Sequence, residues 1–199
     1  MDDSYLRNVH FLVVDDNQFD RQLLRDILNA LGSRHVTTAK TAEEAYTLVK
    51  DIDPDVAIVD WEMRPTTGIE FTRRIRRSKD SPNRFLPIIL VSGHATRGRV
   101  FTARDSGINE YVITPVSVRA LFNRIHQVIE RPRRFVRIGE YFGPDRRRQK
   151  KEFDGDEQRG VTKPKKKVAA AADRALRQEE INDIFNPDEV PTTGKDKDA

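Results

Sequence analysis

The stretch "HFLVVDDNQF" (residues 10–19) sets two adjacent carboxylates, Asp15 and Asp16, at the end of an apolar, β-branched run. A run of that kind suits a strand buried on both faces. Two acids side by side at its tip repel each other unless positive charge lies between them. Working outward, four more short runs have the same character: "HVTTA" (35–39), "DVAIV" (55–59), "PIILVS" (87–92) and "EYVIT" (110–114). Amphipathic segments of helical length lie between them. In "FDRQLLRDILNALG" the residues Phe19, Leu23, Leu24, Ile27, Leu28 and Leu31 form one stripe, and Gly32 suits the position just past a helix end. "TAEEAYTLVKD" opens with Thr41 and carries Glu44 three residues on, a capping-box pattern. Ser117 suits the N-cap of "SVRALFNRIHQVIE". Strands and helices alternating in series predict the α/β class: a five-stranded, parallel, doubly wound sheet spanning residues 1–130.

In such sheets ligands collect at the carboxyl ends of the strands. Asp15 and Asp16 follow the first strand, Asp60 the third, and Ser92 ends the fourth. If the first and third strands are neighbours, the three acids converge, and a hard divalent cation with oxygen ligands is the partner they call for. The alternative is that each acid separately caps the helix that follows it. His10 and His35 lie in strands without a partner His or Cys, which argues against a metal there.

The motifs "LVVDDNQFDRQLLRDIL", "VDWEM" with Gly68 downstream, "ILVSG" and "YVITP" resemble, in order and spacing, the CheY-like receiver domains of two-component response regulators. The resemblance runs from about Val9 to Glu130 and implies a flavodoxin/CheY-like fold. It implies Asp60 as the phosphoacceptor, a carboxylate nucleophile toward the phosphohistidine of a sensor histidine kinase or phosphotransfer protein. It also implies Mg²⁺ as cofactor, with Asp15, Asp16, Asp60 and the main-chain carbonyl of Glu62 around it. Ser92 and Tyr111 would be the switch residues. Two departures stand out. Thr114 occupies the place of the family's lysine, which removes a full positive charge from the pocket, and Arg64 stands where the family has proline. Arg64 either supplies compensating charge or is a solvated loop residue.

After residue 130 the apolar clusters thin out. Seven arginines fall between Arg131 and Arg148 although the whole chain carries a net charge of only +4. The sequence therefore divides into a receiver (1–130), an arginine- and lysine-rich linker (131–167), an amphipathic helix (168–186) and a disordered end (187–199). Within "RPRRFVRIGEYFGPDRRRQKK" aromatics alternate with arginines, which suits an anionic, guanine-containing ligand. The segment resembles the arginine-rich part of CheY-like cyclic di-GMP effectors, which implies nucleotide contacts from Arg134, Arg137, Tyr141, Asp145, Arg146, Arg147 and Arg148. Two other readings remain open: aromatics folded back on the receiver, and nonspecific nucleic-acid binding. In the helix, Leu176, Ile181, Ile184 and Phe185 form an apolar edge too narrow for a core but suited to a groove. "LRQEEINDIF" is similar to the N-terminal peptide of the flagellar switch protein FliM, which implies docking on this receiver or a related one, coupled to phosphorylation of Asp60.

No DNA-reading unit follows the receiver, so sequence-specific DNA binding is not expected. The absence of cysteine, of a spanning apolar run and of a signal-like start fits a cytoplasmic protein. The sequence thus predicts a phosphorylation-dependent response regulator without an enzymatic output domain. It would act through a downstream protein, a flagellar or chemotaxis component or another receiver. A degenerate receiver carrying a cyclic di-GMP effector tail and a simple phosphate sink are the alternatives.

Overall fold

The computed structural model describes residues 6–146 and 174–185. Five strands form one parallel sheet: β1 (His10–Val14), β2 (His35–Ala39), β3 (Val56–Asp60), β4 (Ile88–Ser92) and β5 (Glu110–Ile113), in the order β2-β1-β3-β4-β5. The crossovers are α1 (Gln18–Ala30), α2 (Ala42–Ile52), α3 (Gly68–Arg77) and α4 (Arg97–Ser106), and α5 (Val118–Glu130) follows the last strand. Alternate strand residues face opposite sides, so the core has two halves. Phe11, Val13, Ile58, Ile89 and Val112 meet Leu24 and Leu28 of α1 and Leu121 and Ile125 of α5. Leu12, Val14, Val59 and Leu90 meet Ala45, Phe71, Ile75 and Val100 of α2, α3 and α4. Each fully buried large side chain stabilises the fold by about 1.5–3 kcal/mol. The near-continuous apolar character of the strands follows from helices covering both sheet faces.

The apolar stripe expected on α1 splits. Leu24, Ile27 and Leu28 are buried, whereas Phe19 is 84% and Leu23 50% exposed. The helix turns only part of its apolar arc toward the sheet, and the remainder faces solvent beside the β1–α1 loop. Thr41 caps α2 by accepting from the Glu44 N–H (3.2 Å), but Glu44 returns its carboxylate to the N–H of Lys40, so the box expected there is not closed. A reciprocal box forms at Thr67 and Glu70, at the start of α3. Ser117 caps α5 as the sequence predicts, and Gly32 takes a left-handed φ of 94° beyond α1.

Beyond α5 the chain forms a hairpin that the sequence reading did not anticipate: β6 (Phe135–Ile138) pairs antiparallel with β7 (Tyr141–Pro144). Gly139, at φ 58°, opens its two-residue turn. The hairpin lies against the end of the sheet opposite the acids. Phe135 and Phe142 meet Phe85 with ring centroids 5.2 and 5.4 Å away. Arg76, fully buried, donates to the carbonyls of Gly107 (2.9 Å) and Arg84 (3.0 Å) and to Asn109 Oδ1 (3.2 Å), with Phe135 over its guanidinium. A Cβ on Gly143 would come within 2.8 Å of Gly107 Cα, so this contact requires glycine. Of the readings of this segment, aromatics folded back on the receiver describe residues 135–146.

The C-terminal helix is shorter than expected. α6 spans Gln178–Phe185, residues 174–177 approach it without helical structure, and residues 168–173 and 186 lie outside the described residues. The pairing of β1 with β2 also sets His10 opposite His35, where their rings stack at 4.4 Å, a partnership that only the strand register reveals. Among the described residues no helix is long and apolar enough to cross a membrane.

Candidate acid pocket and switch residues

Strands β1 and β3 are neighbours, so their carboxyl ends bring Asp15, Asp16 and Asp60 together, each offering a carboxylate oxygen within 4.8 Å of the others. Asp15 is 4% exposed. Its N–H donates to the Ala39 carbonyl (3.1 Å), and its Oδ1 accepts from the N–H of Asn17 (2.8 Å), which in turn caps α1. Burial, with smaller contributions from the neighbouring acids, pushes Asp15 up to about 7. Asp60 is pushed up to about 6, again chiefly by burial, against the N–H of Glu62 that donates to its Oδ2 (2.8 Å). Asp16 is exposed and accepts from the main-chain N–H of Arg64 (3.2 Å). Arg64 thus reaches the acids through its main-chain N–H.

The floor of the pocket is set by a close approach. Gly68 donates its N–H to the Trp61 carbonyl (3.1 Å), and a Cβ on Gly68 would overlap the carbonyl oxygen of Asp60. Only glycine lets α3 start this near the third acid.

Ser92, fully buried, ends the strand next to Asp60. Its Oγ accepts from the His94 N–H (3.2 Å). Thr114 donates its N–H to the Ser92 carbonyl (3.1 Å), and its hydroxyl lies 3.2 Å from where a Cβ on Gly93 would stand. Tyr111 is fully buried, with its hydroxyl donating to the His94 carbonyl (3.0 Å) and its ring edge-on to Trp61 (6.4 Å). At the rim, Glu62 pairs with Arg99 (2.8 Å), whose guanidinium covers Trp61 (4.2 Å), and His94 Nδ1 lies 3.3 Å from the same carboxylate. No local pattern signals this rim, because residues 62 and 99 lie far apart in the chain. Of Glu62 the structure shows the N–H on Asp60 and the side chain on Arg99.

The donor set tests the expected cofactor. Three carboxylates in contact, two of them desolvated, fit a hard divalent cation with oxygen ligands such as Mg²⁺.

The remaining sequence-derived residues lie elsewhere. Arg146 covers the Tyr141 ring (4.2 Å) and pairs with Asp105 (3.3 Å), and Arg137 lies over Phe142 (5.5 Å). Arg134 is exposed, with its carbonyl accepting from the Asp145 N–H (2.7 Å). Arg147 and Arg148 lie outside the described residues. Arg133, which the sequence reading passed over, turns inward to the Asn109 carbonyl and lies 3.9 Å from Glu110, itself paired with buried Arg124 (3.2 Å). In α6, Ile181 and Phe185 are 0% and 1% exposed and join the core half containing Tyr111, with Leu176 and Ile184 partly buried beside them.

A parallel β2-β1-β3-β4-β5 sheet with an acid cluster at the carboxyl ends of its central strands defines a flavodoxin-like α/β class with an acidic pocket. Residues 11–126 match the response regulator receiver domain family, and the chain belongs to it. It is 27% identical over 125 residues to the chemotaxis protein CheY-3 of Vibrio cholerae serotype O1, covering 63% of this chain and 95% of that protein. With a chemotaxis protein CheY homolog of Campylobacter jejuni it shares 32% identity over 119 residues, 59% of this chain and 90% of the relative. The solved structure of Vibrio cholerae CheY4 superposes with a TM-score of 0.56 at 26% identity, covering 61% of this chain and 98% of that one. The chain is thus a CheY-like response regulator, of a family whose receiver domains act as phosphoacceptor switches and bind Mg²⁺ at an acidic pocket.

Proposed function

We propose that this chain is a phosphorylation-dependent switch that takes a phosphoryl group on Asp60 and passes the signal on by protein contact. The convergence of Asp15, Asp16 and Asp60 around a desolvated carboxylate is the observation that supports this most. Asp60 attacks the phosphorus of a phosphohistidine, the P–N bond breaks, and the imidazole leaves while an aspartyl phosphate forms. Asp15, Asp16, Asp60 and the Glu62 carbonyl would hold Mg²⁺, which when bound neutralises charge on the transferring group. Ser92, next to Asp60 at the end of the adjacent strand, offers its hydroxyl to the phosphoryl oxygens, and Thr114 contributes no charge where the family has lysine. Exposed Phe19 and Leu23, one turn apart beside the pocket, give the phosphodonor an apolar footing. The donor is a sensor histidine kinase or phosphotransfer protein. The names of the relatives favour a role in chemotaxis or motility.

Trp61, the only tryptophan and the neighbour of Asp60, reports on the pocket. Its fluorescence should change with Mg²⁺ and again, saturably, with beryllofluoride, a mimic of the bound phosphoryl group. Asp60→Asn should lose the second change. Silence toward both additions would overturn the reading.

A further inference from the structure

Thr114 leaves the acid pocket without a charged side chain at the end of β5, and Arg64 meets the acids through its main chain. The rim of the pocket holds a guanidinium. Arg99 lies in the first turn of α4, at the end of the sheet where the acids stand, and covers Trp61, the neighbour of Asp60, at 4.2 Å. A cation in a first helical turn runs against the helix dipole, which favours acids there. Yet α4 carries Arg97 and Arg99 in that turn and no acid. An arginine so placed is favoured by negative charge beyond the helix, not within it.

One edge of the guanidinium is engaged, with Nη2 donating to Glu62 Oε1 (2.8 Å). Its Nε is buried and has no hydrogen-bond partner among the described residues. A guanidinium carries its N–H donors in a fixed fork, so a second edge stays open to an anion. Burial raises the Tyr111 phenol, and the Ser92 hydroxyl and then the charge of Arg99 oppose that rise. Arg99 therefore stands close to the Tyr111 hydroxyl, which itself donates to the loop following Ser92.

The bond to Glu62 is one that a phosphoryl group can displace. A phosphoryl group offers about −1.5 to −2 charges and several acceptor oxygens, against the single charge of a carboxylate. Glu62 keeps a neighbour when the guanidinium leaves, since His94 Nδ1 lies 3.3 Å from the same Oε1. Both partners are partly exposed side chains, so the exchange requires no movement of the core.

We propose that Arg99 supplies the positive charge that Thr114 does not: Glu62 holds it at the rim while Asp60 is unmodified, and it turns to the phosphoryl oxygens once Asp60 carries them. The proposal rests on the phosphoacceptor reading of Asp60. Arg99 is then a phosphoryl-binding residue, and the Glu62 side chain a positioning residue that competes for it.

The probe is beryllofluoride in saturating Mg²⁺, titrated into the full chain. Fluorine NMR of the bound ion gives the affinity, because a change at position 99 also alters Trp61 fluorescence. Arg99→Gln should weaken binding by about tenfold, as the loss of a charge-assisted hydrogen bond implies. Arg99→Lys, which keeps the charge and loses the fork, should recover part of that loss. Glu62→Gln should tighten binding several-fold in the wild-type background and by much less alongside Arg99→Gln, where the released partner is missing. Thr114→Lys should render Arg99→Gln nearly silent, because one cation replaces the other; a merely structural role for Arg99 would be rescued by neither lysine substitution. Unchanged affinity in Arg99→Gln, with wild type binding, would overturn the proposal and leave the phosphoacceptor reading standing. Equal tightening by Glu62→Gln with and without Arg99 would overturn the role of Glu62. Failure of the wild type itself to bind beryllofluoride would remove both readings.

Discussion

Removing Mg²⁺ should make this protein less stable as the pH rises, and Asp15 sets the size of the effect. Its carboxyl, ordinarily near 3.8, is pushed up to about 7 by burial at the end of β1. A carboxyl raised in the folded state favours folding most below its unfolded value, and that advantage is lost as the pH climbs through the folded one. Each unit is worth about 1.4 kcal/mol. Relative to a side chain that does not titrate, Asp15 should cost about 1.5 kcal/mol at pH 5, where the folded chain holds it protonated and the unfolded chain does not, and about 4 kcal/mol at pH 8, where both states are ionised. Asp60, raised to about 6, adds to the slope in the same direction. The assay is urea unfolding in chelator, of wild type and of Asp15→Asn, from pH 5 to pH 8. The variant should be the more stable at pH 8, with the gap narrowing toward pH 5. Added Mg²⁺ should reverse the order at pH 8, because an ion that binds only the folded chain stabilises it and needs the ionised acids. Parallel pH profiles for wild type and variant in chelator would refute the account of the pocket as a desolvated acid cluster.

Three further outcomes follow from the same geometry. Thr114→Lys restores a cation beside Ser92 and should tighten beryllofluoride by about tenfold or more, as a charge-assisted hydrogen bond worth about 1.5–3 kcal/mol implies; an unchanged titration of Trp61 fluorescence would show that this position does not face the phosphoryl site. Gly68→Ala drives a methyl group into the Asp60 carbonyl and should cost about 1–3 kcal/mol in urea unfolding while blunting the Trp61 response to Mg²⁺. Phe19→Ala should leave stability within about 0.5 kcal/mol and slow phosphoryl transfer from a histidine phosphodonor protein several-fold. The rate from a small-molecule donor such as acetyl phosphate should stay the same, and equal slowing from both would place Phe19 in the chemistry rather than in docking.

The sheet and the acid cluster were legible because both are written in local pattern. Continuous β-branched runs report burial on two faces, and acids at the ends of those runs report the end of the sheet where ligands bind. What stayed hidden depends on register and long-range contact. The stacking of His10 on His35 is fixed by which residues of β1 and β2 lie opposite each other. Arg76 reads as one more arginine in a basic helix, yet it is fully buried because three carbonyl oxygens, from residues 84, 107 and 109, surround it. The 131–146 segment looked like a charged linker since its aromatics have no period of their own; their partner, Phe85, lies about fifty residues earlier. On α1 the failure runs the other way. The stripe from Phe19 to Leu31 is a sound helical pattern, but a pattern cannot say how much of an apolar arc the sheet covers.

The loss of the lysine and the presence of the tail bear on each other. A pocket with three acids and no lysine must draw more of its positive charge from the bound ion, so its affinity for a phosphoryl group should depend more steeply on Mg²⁺ than in a receiver that keeps the lysine. It also lacks the tie that a lysine at position 114, at the end of β5, would make across to the acids. In this chain β5 is tied from its outer side instead, through Gln178 to residues 111 and 113 and through Leu176 to the loop after Ser92. A cation fixed inside the pocket would order those residues regardless of what lies outside; a helix docked outside orders them only while it stays. Thr114→Lys should flatten the dependence of beryllofluoride affinity on Mg²⁺ concentration, and an equal dependence in the lysine and threonine backgrounds would mean that position 114 adds no charge to the pocket.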